Sequence, residues 1–262
     1  IDINFNNMNK ESMLSITTPV LNGADYIEKN IKSVLELSIP YEHIIVDGGS
    51  SDGTIDILKK STHLITLNQS ENTGMYGAID MGFKRAKGKY ICWVNCDDVI
   101  LKEGFERMFK IISTNNIDLV YSNAFWHMSL SNSNVFRPGV PFGKYFLKRG
   151  TLPFTQPSSV WTKEIYQNCG GLNYKTFKII GDKDLFVRMA FEKGFTSKHL
   201  NISSTIFLKH GDSLGDNNVD LYKKELKLSP RNQNIFGTIL IHFLVLVNVI
   251  IHKIKNIFDR SY

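Results

Sequence analysis

The chain has 262 residues, of which 42% are hydrophobic and 21% charged, as is typical of one globular domain with at most a short appendage. Its formal net charge of +6 suits anionic partners, namely nucleotide phosphates, an anionic membrane surface or nucleic acid. The cysteines Cys92, Cys96 and Cys169 are odd in number and lack paired spacing, which excludes a disulfide framework and a cysteine-rich zinc site and predicts reduced thiols in a cytoplasmic protein.

Strands and helices are predicted to alternate along the first half of the chain. Residues 1–12 are polar and lack the basic head and apolar run of a secretion signal, so they predict a flexible leader. Hydrophobic spacing then predicts strands at 13–20, 43–49, 64–70 and 89–95, with helices at 24–37, 52–60 and 75–88. This alternation predicts an α/β fold with a mostly parallel sheet, helices on both faces and ligands at the carboxyl ends of the strands.

The second half of the chain has a looser pattern. Hydrophobic spacing predicts a helix at 103–112, a strand at 118–126 and helices at 163–172 and 179–194. Between them, residues 129–158 are rich in Ser, Asn, Gly and Pro and predict loops. These loops either lie beside an acceptor site or are ordinary surface loops.

Polar residues gather where the first two predicted strands end. Thr18, Pro19 and Asn22 close the first strand, and Asp47 lies in the stretch VDGGSSDGT that follows the second. Glycines there let backbone amides approach a ligand, and Asp47 can accept hydrogen bonds from a base or from ribose hydroxyls. A Walker A loop and a dinucleotide fingerprint are both excluded by the glycine spacing. The structural alternative is a turn capped by Asp52.

Two adjacent carboxylates follow the buried strand in YICWVNCDDVI, residues 90–100. Asp97 and Asp98 repel each other, so a cation or a hydrogen-bond network has to stabilise them. The structural alternative is that Asp98 caps a helix while Asp97 is solvated.

Four stretches together carry a family resemblance. ITTPVLNGADYIEKNIKSVL, IIVDGGSSDGT, ENTGMYGAIDMGFKRAKGKYICWVNCDD and GDKDLFVRM resemble, in order and spacing, the inverting nucleotide-sugar glycosyltransferases of family 2 with the GT-A fold. The resemblance spans about residues 13–212 and is strongest to bacterial enzymes that build surface polysaccharides. It implies a hexosyltransferase-type enzyme that moves a sugar from a nucleotide-diphosphate donor to a glycan or lipid-linked glycan. A uridine donor is favoured, with guanosine and deoxythymidine open.

The resemblance also implies a divalent cation, Mn²⁺ or Mg²⁺, held by the family's Asp-x-Asp motif against the donor diphosphate. Here that motif reads Asn95-Cys96-Asp97-Asp98, so an amide replaces the first carboxylate. The resemblance leaves open which aspartate binds the metal and which contacts the ribose. His210 stands where relatives carry a histidine near the metal, with a capped-loop histidine as the alternative. The implied nucleotide contacts are Thr18, Pro19, Asn22, Asp47, Gly48, Gly74 and Asp97.

The implied general base is Asp182, because it precedes Arg188 by the family's spacing, although Gly181 stands where glutamate is common. An inverting transfer needs one base to take the proton of the acceptor hydroxyl. A helix-capping role is the alternative for Asp182. Asp184 is the second candidate and is placed on the acceptor side. Gln156 and Trp161 in TQPSSVW are also predicted on that side, with a core position as the alternative for Trp161.

The last part of the chain predicts an apolar helix. Residues 235–258 contain an apolar run of about seventeen residues, interrupted by His242 and Asn248, which is short for a bilayer span. Basic residues at its end favour a helix lying on the anionic cytoplasmic face of a membrane. Self-association into a homo-oligomer and packing on the domain are the alternatives. The predicted organisation is a leader at 1–12, a GT-A domain at 13–228 and a helical tail at 229–262.

Two other function classes match single features of the sequence. A catalytically silent module that binds sugar nucleotides or glycans is suggested by Asn95 in place of a carboxylate. Nucleic-acid binding is suggested only by the net charge, and the predicted strands carry no interleaved aromatic and basic residues, so no nucleic-acid partner is expected.

Overall fold

One mixed sheet of nine strands organises the chain. A computed structural model describes residues 13–61, 64–68, 73–210, 218–229 and 235–258, so the predicted leader at 1–12 lies outside the described residues. The strands are β1 (Leu14–Val20), β2 (Tyr41–Asp47), β3 (Leu64–Asn68), β4 (Tyr90–Trp93), β5 (Val99–Ile100), β6 (Leu119–Met128), β7 (Ser133–Arg137), β8 (Ser159–Thr162) and β9 (Ser197–Lys209). Their order is β3-β2-β1-β4-β8-β6-β9-β5, with β7 paired to β6.

Helices connect and cover these strands. They are α1 (Ile27–Leu35), α2 (Thr54–Lys59), α3 (Gly74–Arg85), α4 (Lys102–Thr114), α5 (Gly143–Leu147), α6 (Lys163–Asn168), α7 (Gly181–Phe191), α8 (Val219–Leu228) and α9 (Ile235–Phe258). The alternation predicted for the first half is confirmed, because β1 to β4 pair in parallel and are joined by α1, α2 and α3. Parallel neighbours need such crossovers, since a short turn cannot bring the chain back to the same end of the sheet.

The second half of the sheet is not parallel throughout. Strand β8 runs antiparallel to both β4 and β6, and β5 runs antiparallel to β9, while β6 and β9 are parallel. The stretch 129–158, predicted as loops, contains β7 and α5. A single 3-10 turn at Ser129–Ser131 joins β6 to β7, and such a short connection permits only an antiparallel pair.

An aromatic cluster lies beneath the strand ends that carry the candidate site. Trp93 at the end of β4 packs edge-on against Trp161 of β8, with ring centroids 5.4 Å apart, and stacks on Phe186 of α7. Phe83 of α3 packs edge-on against Trp161 as well. Edge-to-face aromatic contacts add directional attraction to the burial of large apolar surface. The cluster therefore holds α3 and α7 against the sheet, and both helices begin at the site.

Helix α9 has one covered face and one open face. On the covered face, Ile241 is 7% exposed and packs with Val140 and Phe146. The open face carries apolar residues at helical spacing, namely Ile239, Phe243, Leu246 and Ile250, which are 48–63% exposed. Packing on the domain thus accounts for only half of the predicted apolar tail. Within the described ranges, no helix combines the length and apolarity that a membrane crossing requires.

Candidate active site

Asp47 is held rigidly at the end of β2, beside the end of β1. The parallel register pairs it with Val20, and its side chain is 2% exposed. Its Oδ2 accepts hydrogen bonds from the amides of Gly49 at 2.9 Å and Ser50 at 3.1 Å. Its Oδ1 is buried and has no hydrogen-bond partner. Because a buried acceptor without a partner is costly, this oxygen is suited to a donor group of a ligand.

Asn22 ties the loop after β1 to the loop after β2. It adopts a left-handed backbone with φ of 51°, and its amide donates to Ser50 Oγ at 2.8 Å. Its Oδ1 accepts from the amide of Ser51 at 2.9 Å. Asp52 adds a second tie, since its Oδ2 accepts from the amide of Ala24 at 2.9 Å. Asp52 therefore has a structural role, although the residue at the N-cap of α2 is Gly53.

Thr18 and Pro19 lie below this surface and do not reach it. Both are buried, and Thr18 Oγ1 lies 3.0 Å from His43 Nε2. They support the loops, so the structure does not bring them to a ligand. Gly48 donates its amide to the carbonyl of Val20 at 2.8 Å, which fixes the start of the β2 loop. Gly74 begins α3 with a left-handed backbone, φ of +74°, which favours glycine. A Cβ atom at this position would contact none of the described atoms within 4 Å.

Asp97 and Asp98 have separate partners near the end of β9, which accounts for how two adjacent carboxylates coexist. Asp97 Oδ2 lies 3.1 Å from His210 Nε2, and the His210 ring stacks on Tyr26. Asp98 is fully buried, and its Oδ1 accepts from the amide of Leu208 at 3.2 Å. Burial and the nearby Asp97 charge raise the pKa of Asp98 well above its ordinary value. The Oδ1 bond ties Asp98 to β9, whereas its Oδ2 is buried with no hydrogen-bond partner among the described residues. Asp97 pairs with His210.

The donor set formed by Asp97 and His210 fits a divalent cation in part. A carboxylate oxygen and an imidazole nitrogen are both ordinary ligands of Mn²⁺, and Mg²⁺ accepts the carboxylate. Over the described part of the chain, no group of three or more His, Cys, Asp or Glu could hold a metal unaided. If a cation binds here, the chain would supply two ligands, and a phosphate and water would supply the rest. Asn95 Oδ1 is also buried without a partner.

Asp182 lies in the first turn of α7 on the wall of a cavity of about 710 Å³. The Tyr76 hydroxyl lies 3.2 Å from Asp182 Oδ1 and 3.0 Å from the carbonyl of Ile179, so its one hydrogen is shared between two acceptors. Desolvation raises the pKa of Asp182 above its ordinary value, since burial disfavours the charged form. The N-cap of α7 is Ile180, so Asp182 does not cap the helix. A partly exposed carboxylate with a raised pKa suits a general base.

Gly181 has a packing reason to be glycine. A Cβ atom on this residue would lie 2.7 Å from Cδ2 of the Tyr76 ring, closer than real contacts allow. The Tyr76 ring thus occupies the space that a glutamate at this position would need. The hydroxyl of the same tyrosine lies 3.2 Å from Asp182 Oδ1. Tyr76 therefore both leaves no room for a glutamate at position 181 and contacts the carboxylate at position 182.

Helix α8 holds the backbone that leads into Asp182. Glu225 is 1% exposed, and its Oε1 accepts from the amide of Lys178 at 2.7 Å. Its Oε2 accepts from the amides of Ile179 at 2.9 Å and Ile180 at 3.1 Å. Sequence reasoning missed Glu225. The available signal was a glutamate between the lysines of KKELK, which gives no indication of a contact so distant in the chain.

Asp184 is not part of this cavity, contrary to the prediction that it lies on the acceptor side. It is 3% exposed and forms an ion pair with Arg188, with Oδ2 2.7 Å from Nη2. Arg188 also donates to the carbonyls of Cys169 and Gly171. The pair therefore fixes the glycine turn after α6. Asp184 follows Asp182 by two residues, and side chains at that helical spacing point in different directions.

Gln156 and Trp161 do not face the cavity either. Gln156 is 9% exposed, and its Nε2 donates to the carbonyl of Trp93 at 3.0 Å. Trp161 is fully buried in the aromatic cluster, so it cannot stack on a sugar. The tryptophan that lines the cavity is Trp126 of β6, whose Nε1 donates to Thr155 Oγ1 at 3.2 Å. The sequence offered no feature that separates a lining tryptophan from a core one.

The cavity extends from Asp182 to Lys209, the residue before His210. Lys209 at the end of β9 lines it together with Asp182, and the next residue along the chain is His210, which contacts Asp97. The opposite wall includes Tyr222 of α8 and Ile241 of α9. The cavity therefore has the Asp182 carboxylate on its wall and ends one residue before the Asp97–His210 pair.

Comparisons with known proteins identify the family of this chain. The family model of glycosyl transferase family 2 matches residues 15–170. TuaG of Bacillus subtilis, a glycosyltransferase named for teichuronic acid biosynthesis, is 36% identical over 111 residues, covering 40% of this chain and 43% of its own length.

Solved structures share the fold at low identity. TarS of S. aureus, residues 1–349, superposes with a TM-score of 0.64 at 18% identity, covering 82% of this chain and 64% of that chain. A TarS structure in complex with UDP-GlcNAc has a TM-score of 0.61. The mannosyltransferase PcManGT of Pyrobaculum calidifontis, solved with GDP-Man and Mn²⁺, has a TM-score of 0.60 at 15% identity, covering 82% of this chain and 63% of that chain. The family match extends over more than half of the chain, which therefore belongs to glycosyl transferase family 2 and has the GT-A fold.

Proposed function

We propose that this chain is an inverting glycosyltransferase that moves a sugar from a nucleotide-diphosphate donor to a glycan or lipid-linked glycan during bacterial surface-polysaccharide synthesis. The observation that carries the proposal is that Asp182 and Lys209 line the same cavity. Lys209 precedes His210 in the chain, and His210 contacts Asp97. The name of TuaG and the family match support the same class of reaction.

The donor nucleotide is proposed to bind at the ends of β1, β2 and β4. The free Oδ1 of Asp47 is an acceptor for a base N–H group, which uracil presents. The complex of TarS with UDP-GlcNAc favours a uridine donor, whereas the complex of PcManGT with GDP-Man keeps guanosine open. Gly48, Asn22 and Gly74 shape the loops around this position.

Asp97 and His210 are proposed to hold the divalent cation, Mn²⁺ or Mg²⁺. Such a cation, when bound, neutralises the negative charge that develops on the leaving nucleoside diphosphate. Asp98 is left out of this assignment because its carboxylate is buried and bonded to the Leu208 amide.

Asp182 is proposed to act as the general base. Its carboxylate takes the proton of the acceptor hydroxyl while that oxygen bonds to the anomeric carbon from the face opposite the diphosphate. The bond between the anomeric carbon and the diphosphate oxygen breaks, and its electron pair leaves with the nucleoside diphosphate. A single displacement of this kind inverts the anomeric configuration.

The open face of α9 is proposed to lie on the cytoplasmic surface of an anionic membrane, peripheral to it. Its exposed apolar residues include Ile239, Phe243 and Ile250, and Lys253 follows them in sequence. Vesicle flotation tests this proposal. Phe243→Lys should reduce binding to vesicles of phosphatidylglycerol, whereas Leu130→Lys, at an exposed leucine outside α9, should not. A dimer in solution that Phe243→Lys dissociates would instead assign this face to self-association.

The proposed function is tested first by nucleotide binding. Thermal shifts would be measured with UDP, GDP, dTDP and CDP, each with Mn²⁺ and with a chelator. We expect UDP to raise the Tm only with metal, because a ligand at a hundred times its Kd stabilises the folded state by about 2.7 kcal/mol. A panel without any shift would contradict the donor site. Binding without transfer to any acceptor would favour the silent binding module.

A further inference from the structure

The cavity beside Asp182 carries more positive charge than the base alone requires. Lys183 and Arg137 both line it, and among the described residues on its walls Asp182 alone carries a carboxylate. Lys209, Tyr222 and His242 are the other titratable side chains on its walls. An excess of cations in a confined space attracts an anion, because water screens the charges poorly there.

Lys183 is the clearest indication that a ligand is missing from the cavity. Its side chain is 5% exposed, and Nζ is buried without a hydrogen-bond partner among the residues that the structure describes. No carboxylate oxygen of the described residues forms an ion pair with it, although Asp182 is its neighbour in the chain. Buried lysines are ordinarily paired, since an isolated ammonium loses its hydration without compensation. An anion in the cavity would provide the absent partner.

Arg137 supplies a second cation of suitable geometry. Its guanidinium lies over the ring of Trp126, 4.1 Å from the centroid, and its Nε is buried without a hydrogen-bond partner. The ring contact orients the planar guanidinium, which can then bind two oxygens of one phosphate. Lys209 lies near the same ring, with Nζ 5.9 Å from the centroid.

The position of the cavity assigns this anion to the acceptor and not to the donor. Its walls come from β6, β7, β9 and the helices α7, α8 and α9, while the donor residues Asp47 and Asp97 do not line it. The general base must contact the acceptor hydroxyl, so the space that opens from Asp182 toward α9 is the acceptor's. The donor diphosphate belongs with Asp97 and His210.

We propose that this cavity contains a subsite for a phosphate group of the acceptor, formed by Lys183 and Arg137. The inference rests on the proposed function and names its acceptor class as a phosphate-bearing glycan. The phosphate has two chemical sources, namely the diphosphate of a lipid-linked glycan and the phosphodiester of a polyol-phosphate chain. A neutral glycan would leave the Lys183 ammonium unpaired.

Equilibrium binding separates this proposal from the proposed function. Glycerol 3-phosphate would be titrated by calorimetry into the full chain saturated with UDP and Mg²⁺, so that the donor site is already filled. We expect binding that weakens at least about tenfold in Lys183→Met and in Arg137→Gln, as loss of a charge-assisted hydrogen bond predicts. Lys84→Gln, which removes an exposed lysine from α3, is the matched control. A short alkyl diphosphate and a glycerol-phosphate oligomer, compared in the same way, would name the source.

The variant Asp182→Asn provides the second part of this test. It should abolish sugar transfer yet bind glycerol 3-phosphate more tightly, because a repelling carboxylate has been removed. Phosphate binding that disappears when UDP fills the donor site would place the phosphate at the donor diphosphate and overturn the proposal. Equal binding in Lys183→Met, Arg137→Gln and the unchanged chain would overturn it as well. Phosphate binding together with a fully active Asp182→Asn would overturn the proposed base while leaving the subsite intact.

Discussion

The two halves of this molecule, to which we assign the donor and the acceptor, are built differently. In the donor half, β1 to β4 are parallel, and the candidate residues lie within a few positions of a strand end. In the acceptor half, strands of both directions mix, and the cavity is lined by residues from β6, β7, β9, α7, α8 and α9. The donor half therefore follows from local rules, while the acceptor half depends on how distant segments meet.

This difference predicts two kinds of mutational effect. Substitutions in the donor half should act on one ligand at a time, because each side chain works from a rigid strand end. Substitutions in the acceptor half should couple catalysis to the packing of α8 and α9.

Asp182→Asn should have the largest effect on sugar transfer. Removal of a general base costs about a hundred- to ten-thousandfold in rate, while donor binding should be unchanged since Asp182 does not belong to the donor loops. Transfer rates and UDP thermal shifts would be measured on the same preparation. Full activity in this variant would contradict the assignment of the base.

Asp97→Ala and Asp98→Ala form a matched pair at adjacent positions. Asp97→Ala should lower metal-dependent donor affinity by about a hundredfold, because a metal ligand is lost, with an unchanged Tm in the absence of ligand. Asp98→Ala should instead destabilise the free protein by about 1–3 kcal/mol, because the Leu208 amide loses its acceptor in the core. Chemical denaturation and donor titration separate the two. The reverse outcome would assign the metal to Asp98.

Glu225→Gln should reduce kcat by about tenfold with donor affinity unchanged. The substitution replaces one of the two oxygens that hold the amides before Asp182, so the base shifts from its position. Glu103→Gln, at an exposed glutamate of α4, is the matched control. Equal loss of donor affinity and kcat would indicate general unfolding and not misplacement of the base.

Tyr76→Phe should have the smallest effect, visible in the pH profile. The Tyr76 hydroxyl donates toward the Asp182 carboxylate and lowers its pKa, so removal of that hydroxyl raises the pKa further. The base is active when deprotonated, and the acid limb of kcat/KM should therefore move to higher pH. The plateau should stay within about threefold of the unchanged chain.

Tyr166→Phe is the control for that profile. It removes a buried hydroxyl that donates to Asp80 at 2.6 Å, away from Asp182. This variant should lose stability without moving the acid limb. A limb that moves equally in both variants would show that it does not report on Asp182.

The α/β alternation, the end of β2 at Asp47 and the loop after β4 that carries Asp97 can be predicted from the sequence alone, and so can the place of Asp182 at the start of a helix. These features depend on local spacing, since a strand and the loop after it are adjacent in the chain and their chemistry can be read together. The sequence also indicated that the apolar pattern at 235–258 needs a partner surface.

Which candidate residues are buried and which line the cavity depends on the tertiary structure. It buried Thr18, Trp161 and Asp184, turned Asp98 inward, and brought in Trp126 and Glu225. Burial depends on what packs above a residue, and for these residues the packing partners are often dozens of positions away. The cationic cavity beside Asp182 has the same origin, because Arg137 and Lys183 meet only when β7 and α7 fold against the same space.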